Sequence, residues 1–184
     1  MLPRIVLVRH GRSAHVERAA VDRAGFVRWL EAYDLAGLAE HEAPPEALRA
    51  LAQGAYVVSS DIVRARLSAE LLTPNVAISP LLREAQLTIP ACGGLRLPMR
   101  IWALAIGLRM ALGAVPGERE RAGEAARWLA SLTAEHRTVL AVTHGAVRRY
   151  IADALLADGW TCRYPRKQKW AHWSAWELTR ATKQ

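Results

Sequence analysis

Cationic and imidazole side chains follow three short runs of apolar or small residues in this sequence. Arg9 and His10 come directly after residues 5–8, which are all aliphatic, Arg64 lies shortly after YVVSSD, and His144 ends TVLAVTH. The guanidinium fork of arginine matches the oxygens of a phosphate in a bidentate manner, and a neutral imidazole is a competent nucleophile. If the three stretches converge, these residue types predict a pocket for a tetrahedral dianion.

A histidine beside arginines is expected to remain neutral, because nearby positive charge lowers the pKa of an imidazole. Arg9 and Arg64 would in this way leave His10 unprotonated and able to attack phosphorus. Arg12, two residues after His10, is a further candidate for binding the phosphate. The sequence leaves open whether the Arg12 side chain contacts a substrate or points to solvent.

Cleavage of a phosphate ester also needs a proton donor for the departing alkoxide. Glu84, in the segment LLREAQL, is the candidate, because a carboxyl group beside a phosphate tends to hold its proton. Glu70, or an acidic residue in a segment that covers the site, is an alternative donor.

Each of these residues also has an ordinary structural explanation. The RHG stretch can be a surface turn, His144 can be a buried structural histidine, and Arg64 can be a solvated helix residue like its neighbour Arg66. The interpretation as a site therefore depends on whether the fold brings the stretches together.

The hydrophobic pattern alternates between strands and helices along the chain. Buried strands are predicted at about 4–9, in YVVSS, in NVAIS and in TVLAVTH, and WSAWELTR has the alternation typical of an edge strand. Helices are predicted at about 14–33, in IVRARLSAELL with Ser60 or Asp61 as its cap, at about 99–113 and at about 118–134. This order is typical of a three-layer α/β/α sandwich with a mostly parallel sheet and an antiparallel edge strand.

Ligands of such sheets bind at the carboxyl ends of the strands. His10, Ser60 and His144 each follow a predicted strand, so we expect them at one edge of the sheet. A length of 184 residues, of which 52% are apolar, predicts a single domain with a substantial core.

Four motifs in this order, VRHGRS, SSDIVRA, LLREAQ and VTHGAVRR, resemble those of the histidine phosphatase superfamily, also called phosphoglycerate mutase-like. The resemblance covers about residues 4–152. It implies that His10 is the phosphorylated nucleophile and that Arg9, Arg64 and His144 bind the phosphoryl group.

The same resemblance implies that Glu84 is the general acid and later the base for the attacking water, with His144 as a further catalytic residue. It implies a metal-independent phosphomonoester hydrolase of the histidine acid phosphatase type, without a cofactor, acting on a small phosphorylated substrate. Residues 1–184 would then form one histidine phosphatase-like domain.

The sequence departs from the family pattern at several positions. Family members usually have Glu or Gln where this chain has Arg12, and the mutases have Asn where it has Val16. After Glu84 the chain continues as AQLTIPACGGLRLP, which differs from the usual segment. We therefore do not expect mutase activity, and we expect residues of about 90–117 to form a helical insertion that covers the site.

The composition indicates the charge of the expected partners and the cellular compartment. A formal charge of +8 favours anionic partners, and Cys92 and Cys162 belong to no metal or disulfide motif. The apolar run before Arg9 is too short for a signal-peptide core, so a cytoplasmic protein is expected. Arg100 and Arg109 interrupt the longest apolar region, which predicts no membrane insertion.

Two segments leave other interactions open. The apolar stretch 101–115 can form a homodimer or membrane-surface contact, although helix packing is the preferred interpretation. The basic and aromatic segment GWTCRYPRKQKWAHW can bind single-stranded nucleic acid, but a solvated loop leading to a strand packed by tryptophans is preferred, so nucleic-acid binding is not expected.

Two other functions would suit the same fold. One is a catalytically idle protein that binds an anion or a partner, and the other is a phosphohistidine-protein phosphatase. The presence of all five expected site residues argues against the first, and a covered site argues against the second.

Overall fold

The computed structural model describes most of the chain. It covers residues 2–16, 19–86, 89–91, 93–111, 117–163 and 171–181, with the side chains of residues 110 and 111 excepted.

Six strands and six α-helices alternate along these residues. The strands are β1 (Arg4–Arg9), β2 (Tyr56–Ser59), β3 (Val76–Ile78), β4 (Thr138–Thr143), β5 (Thr161–Arg163) and β6 (Ala175–Thr179). The helices are α1 (Arg23–Leu35), α2 (Glu46–Ala52), α3 (Val63–Glu70), α4 (Met99–Ala111), α5 (Glu118–Leu132) and α6 (Gly145–Ala157), and a short 3₁₀ helix spans Pro80–Leu82.

The strands form one sheet in the order β3-β2-β4-β1-β6-β5. The first four are parallel, whereas β6 pairs antiparallel with β1 and β5 antiparallel with β6. This confirms the predicted α/β fold with a mostly parallel sheet and an antiparallel edge. The segment predicted as the edge strand is β6, and the three-residue β5 pairs on its outer side.

Both faces of the sheet are covered by helices, which explains the continuous apolar run in β1. Ile5 and Leu7 belong to the cluster that contains the buried residues of α5 and α6. Val6 and Val8 belong to the cluster that contains those of α2 and α3. A strand buried on both faces has no polar position, and this is typical of a parallel sheet between two helical layers.

Helix α1 begins later than the sequence predicts, at Arg23 instead of about residue 14. Residues before it form backbone pairs with distant segments: Ala14 N donates to Gly37 O, and Val21 exchanges two hydrogen bonds with Leu97. The Asp22 side chain then accepts from Gly25 N and caps the helix. Tertiary pairing thus replaces the first turns of the predicted helix.

Helix α3 also differs from its predicted start. Its cap residue is Ile62, and neither Ser60 nor Asp61 caps it through a side chain. Ser60 Oγ instead accepts from the backbone N–H of Ile62, while Asp61 binds Arg83.

Helices α1 and α4 pack through a small cluster of their own that contains Phe26, Trp102 and Ile106. The rings of Phe26 and Trp102 are nearly parallel, with centroids 4.7 Å apart. No helix in the described ranges is long and apolar enough to span a membrane.

The segment that leads into β6 packs against the turn after β1. Trp173 N donates to Arg9 O, and Arg9 N donates to Ser174 O. The Trp173 ring lies over Gly11, so closely that a Cβ at Gly11 would lie 2.8 Å from Cζ2 of Trp173. Gly11 is therefore needed for close approach of the ring.

We expect Gly11→Ala to destabilise the protein by about 1–3 kcal/mol, because the added methyl group overpacks this contact. Urea unfolding measures the change. Gly54→Ala is the matched control, since a Cβ there meets nothing within 4 Å, and it should change the stability by no more than about 0.5 kcal/mol. Equal stabilities of the two variants would show that Trp173 moves aside at little cost.

Candidate active site

The parallel pairing of β1 with β4 places the two predicted histidines side by side. Arg9 is in register with Thr143, and His10 N donates to Thr143 O. The imidazole centroids of His10 and His144 are 5.1 Å apart. The predicted convergence of these two strand ends is thus present in the structure.

The hydrogen bonds of His10 define its tautomer. Nδ1 lies 2.6 Å from Gly11 O, and because a carbonyl oxygen only accepts, Nδ1 carries the proton. Nε2 therefore has the lone pair, and it accepts from Arg64 Nε at 3.2 Å. The His10 side chain is only 1% exposed, and burial together with the charges of Arg64 and Arg9 holds its pKa well below the usual value.

His144 is buried completely and is held by the end of the neighbouring strand. Its Nε2 lies 3.0 Å from Ser60 Oγ. Burial, followed by the nearby His10 and Arg64, holds the pKa of His144 well below its usual value. Nδ1 is buried and has no hydrogen-bond partner within the described part of the chain.

Arg64 is 1% exposed and links His10 to the end of α1. Its Nη1 donates to Tyr33 O at 2.8 Å and to Asp34 Oδ1 at 3.1 Å. Its Cζ lies 4.1 Å from the centroid of the Tyr33 ring, which is a cation–π contact. The ordinary explanation of Arg64 as a solvated residue is wrong, whereas Arg66 is half exposed and pairs with Glu70.

Arg9 lies over the first turn of α6. A Cβ on Gly145 would lie 3.7 Å from Arg9 Nε, which is an ordinary contact distance, so the guanidinium group is next to this turn without requiring a glycine there. Arg9, Arg64 and Glu84 all line one open cleft.

Glu84 reaches the site but lies against the start of α6. Its Oε1 accepts from the backbone N–H groups of Ala146 and Val147, both at 3.1 Å, and from that of Ala85. The N-terminus of a helix favours a negative charge, and at α6 the carboxylate of Glu84 supplies it.

Arg121 positions the segment that carries Glu84. Its Nη1 donates to the carbonyl oxygens of Leu81 and Arg83, and its Nη2 donates to Glu118. Nothing in the sequence pattern indicates this role, because Arg121 is one of several charged residues on α5. The bidentate pair of Arg83 with Asp61 ties the same segment to the end of β2 and lowers the pKa of Asp61.

The cleft that Arg9, Arg64 and Glu84 line has a volume of about 1400 Å³. Helices α1, α4 and α5 contribute to its walls, together with the residues around Asp61 and Glu84. Acidic residues of α5, Glu118, Glu120 and Glu124, also line it, so an acidic group other than Glu84 is within the cleft. Glu70, the other alternative donor, does not line it.

Arg12 is directed to Glu42 instead. Its side chain is 64% exposed, its Nε lies 3.5 Å from Glu42 Oε2, and its backbone N–H donates to Glu42 Oε1. The same Oε1 accepts from Trp173 Nε1 at 2.7 Å. Glu42 thus joins the turn after β1 to the segment before β6.

His172 is a third imidazole near His10, and sequence reasoning did not find it. The two ring centroids are 5.6 Å apart, and His172 Nδ1 lies 3.3 Å from His10 O. Burial and the charge of Arg9 lower its pKa. The two residues are 162 positions apart, and no spacing or motif connects them.

The composition of the basic and aromatic segment near the C-terminus, residues 159–173, allows nucleic-acid binding. Trp160 and Trp173 are buried, so they are unavailable for stacking with a nucleic acid. Residues 164–170, which hold most of the basic side chains of this segment, lie outside the described residues. Within the described ranges, no three His, Cys, Asp or Glu side chains are grouped as metal ligands would be.

The chain matches no protein-family model and no curated protein. Solved structures do share its fold. A structure described as mycobacterial hydrolase 1 has a TM-score of 0.54 and 21% identity over 96% of both chains. A mycobacterial glucosyl-3-phosphoglycerate phosphatase in complex with VO3 has a TM-score of 0.53 and 24% identity over 84% of this chain and 82% of its own.

A third similar structure is a phosphoserine phosphatase from Entamoeba histolytica in complex with 3-phosphoglyceric acid. It has a TM-score of 0.50 and 18% identity over 84% of this chain and 80% of its own. At these identities the likeness establishes the fold.

The lowered pKa values of His10 and His144 predict a loss of stability in mild acid. Below about pH 6.5 the histidines of the unfolded chain take up protons that those of the folded protein do not. The free energy of unfolding is therefore highest above that pH and falls below it. Each histidine should lower the unfolding free energy by up to about 1.4 kcal/mol between about pH 7.5 and about pH 5.5.

Urea unfolding at the two pH values measures this loss. In His10→Asn the fall in unfolding free energy should be smaller by the contribution of one histidine. His41→Asn, which changes an exposed histidine, should not alter it. An unfolding free energy that does not fall in the wild-type protein would contradict the prediction.

Proposed function

The chain has the fold of the histidine phosphatase superfamily, and we propose that it is a metal-independent phosphomonoester hydrolase that forms a phosphohistidine on His10. Its substrate would be a small phosphorylated molecule. Two of the solved proteins that share the fold are phosphatases, which supports the proposal.

The observation that carries the proposal is the state of His10. Its Nε2 has the lone pair of a neutral imidazole and faces an arginine donor in a buried environment. A neutral nucleophile held among guanidinium groups suits attack on a dianion, because the cations neutralise the charge of the phosphoryl oxygens while the imidazole stays unprotonated.

In the first step, Nε2 of His10 forms a bond to phosphorus as the bond from phosphorus to the ester oxygen breaks. Because Arg64 Nε now donates to this lone pair, an incoming phosphoryl group would replace His10 as its acceptor. Arg9 and His144 would supply further donors, and Nδ1 of His144 would gain the partner that it lacks.

Glu84 would donate a proton to the departing oxygen. Since Oε1 is held by three backbone N–H groups, the proton would move at Oε2. In the second step Glu84 takes a proton from water, the water oxygen bonds to phosphorus, and the bond from phosphorus to Nε2 breaks. Inorganic phosphate and neutral His10 result.

Arg12 is left out of this mechanism, because its guanidinium group pairs with Glu42. We further propose that residues 1–184 form a single domain and that residues of about 90–117 cover the site. The position of α4 supports the second statement, since Met99, Ala103 and Ile106 line the cleft.

His10→Ala should abolish hydrolysis of phosphomonoesters, because no other described group takes the place of its Nε2. The assay uses p-nitrophenyl phosphate in the presence of EDTA, together with quenching in alkaline detergent after addition of a phosphomonoester that is radiolabelled on its phosphoryl group. Wild-type protein should retain acid-labile label, and His10→Ala should retain none. His41→Ala should behave as the wild type; label on another residue, or activity lost in EDTA, would contradict the mechanism.

Glu84→Gln should slow hydrolysis of alkyl phosphates by about 10²- to 10⁴-fold, the usual effect of general acid catalysis. The loss should be much smaller for p-nitrophenyl phosphate, because nitrophenolate leaves without a proton. Single-turnover phosphorylation of His10 measures the first step alone. Glu70→Gln is the control and should leave both rates unchanged; equal losses on both esters in Glu84→Gln would assign the proton to another carboxyl group.

A further inference from the structure

We infer that the alcohol portion of the substrate carries an aromatic ring, which binds in the cleft against the side chains of α1 and α4. The inference rests on the proposed function, because the phosphoryl group at His10 determines where the rest of the substrate lies.

Helix α1 presents three aromatic side chains to the cleft at helical spacing. Phe26, Trp29 and Tyr33 all line it. The rings of Trp29 and Tyr33 are nearly parallel, with centroids 4.9 Å apart, and those of Phe26 and Trp29 are 5.8 Å apart. Trp102 of α4 stacks on Phe26 but does not line the cleft. The three rings of α1 therefore form one wall, which we call the α1 ring stack.

The α1 ring stack begins at the phosphoryl site. The guanidinium group of Arg64 lies over the Tyr33 ring at 4.1 Å, while its Nε contacts His10 Nε2 at 3.2 Å. One arginine thus separates the nucleophile from the first ring. A group attached to the ester oxygen and extending into the cleft on this side would meet Tyr33 and then Trp29.

Helix α4 adds apolar side chains to the same cleft. Met99, Ala103 and Ile106 line it together with the charged Arg100, and Leu30 of α1 lines it as well. A ring placed against these apolar side chains would lose contact with water, which favours binding of an apolar group.

The arrangement of the stack favours an aromatic ring over a sugar or an aliphatic group. Within the stack each ring face is directed to a neighbouring ring or to Arg64, so the edges of Trp29 and Tyr33 are left for the cleft. Ring edges carry partial positive charge and attract the electron-rich face of another aromatic ring. Saturated groups have no such face.

Three alkyl esters test the inference: phenylpropyl, cyclohexylpropyl and propyl phosphate. All have a primary alkyl leaving group, so the chemical step is matched and only the distal group differs. We expect kcat/KM of the phenylpropyl ester to exceed that of the propyl ester by about 10-fold or more. It should also exceed that of the cyclohexylpropyl ester by about 2- to 10-fold, the effect of a ring contact beyond its buried area.

Trp29→Leu should reduce the ratio of phenylpropyl to propyl kcat/KM several-fold. Trp128→Leu is the matched control, because Trp128 is also a partly buried tryptophan but packs against the core of the other layer. It should keep the wild-type ratio. If Trp29→Leu does not fold, the kcat/KM values of the wild-type protein for the three esters still show whether the cleft prefers an aromatic ring.

Calorimetric binding of the corresponding phosphonates separates this inference from the proposed function, because phosphonates need no turnover. A preference for phenylpropylphosphonate in a protein that hydrolyses no ester would support the ring site and overturn the hydrolase. Hydrolysis without preference among the three esters would overturn the ring site alone. Equal phenylpropyl and cyclohexylpropyl values, both above propyl, would also overturn it, because the cleft would then select apolar groups in general.

Discussion

The register between β1 and β4 is the constraint on which the rest of the site depends. With Arg9 opposite Thr143, the next residues on the two strands are His10 and His144, and their rings come within 5.1 Å. A shift by one residue would turn Ile5 and Leu7 toward the layer that now packs on Val6 and Val8, and it would move His10 out of line with His144. The same packing that stabilises the sheet therefore holds the two imidazoles together.

That register also buries the imidazole of His10, whose polar nitrogens must then be hydrogen-bonded within the protein. His10 is enclosed, so each ring nitrogen needs a partner, and Gly11 O and Arg64 Nε supply them. The enclosure depends on the segment before β6, whose Trp173 ring covers Gly11. The charge state of the nucleophile is thus a consequence of packing as much as of neighbouring charges.

The site consists of phosphoryl-binding groups and the cleft beside them, and these two parts have different origins. The strand ends supply Arg9, His10 and His144, and α3 supplies Arg64; these groups are suited to a phosphoryl group of any ester. Helices α1, α4 and α5 supply the walls, which contact only the remainder of the substrate. Arg64 joins the two parts, because it contacts His10 through Nε and the end of α1 through Nη1. Substitutions in the helical walls can change selection without altering the strand ends.

The sequence by itself determined the fold class and the strand ends that hold His10 and His144, with Arg64 in the helix that follows β2. Periodicity is local, and the carboxyl ends of parallel strands meet at one edge. Only the tertiary structure decided the contact of Glu84 with α6 and the proximity of His172 to His10. These contacts join segments far apart in the chain. They depend on how the layers pack, and no residue spacing records that.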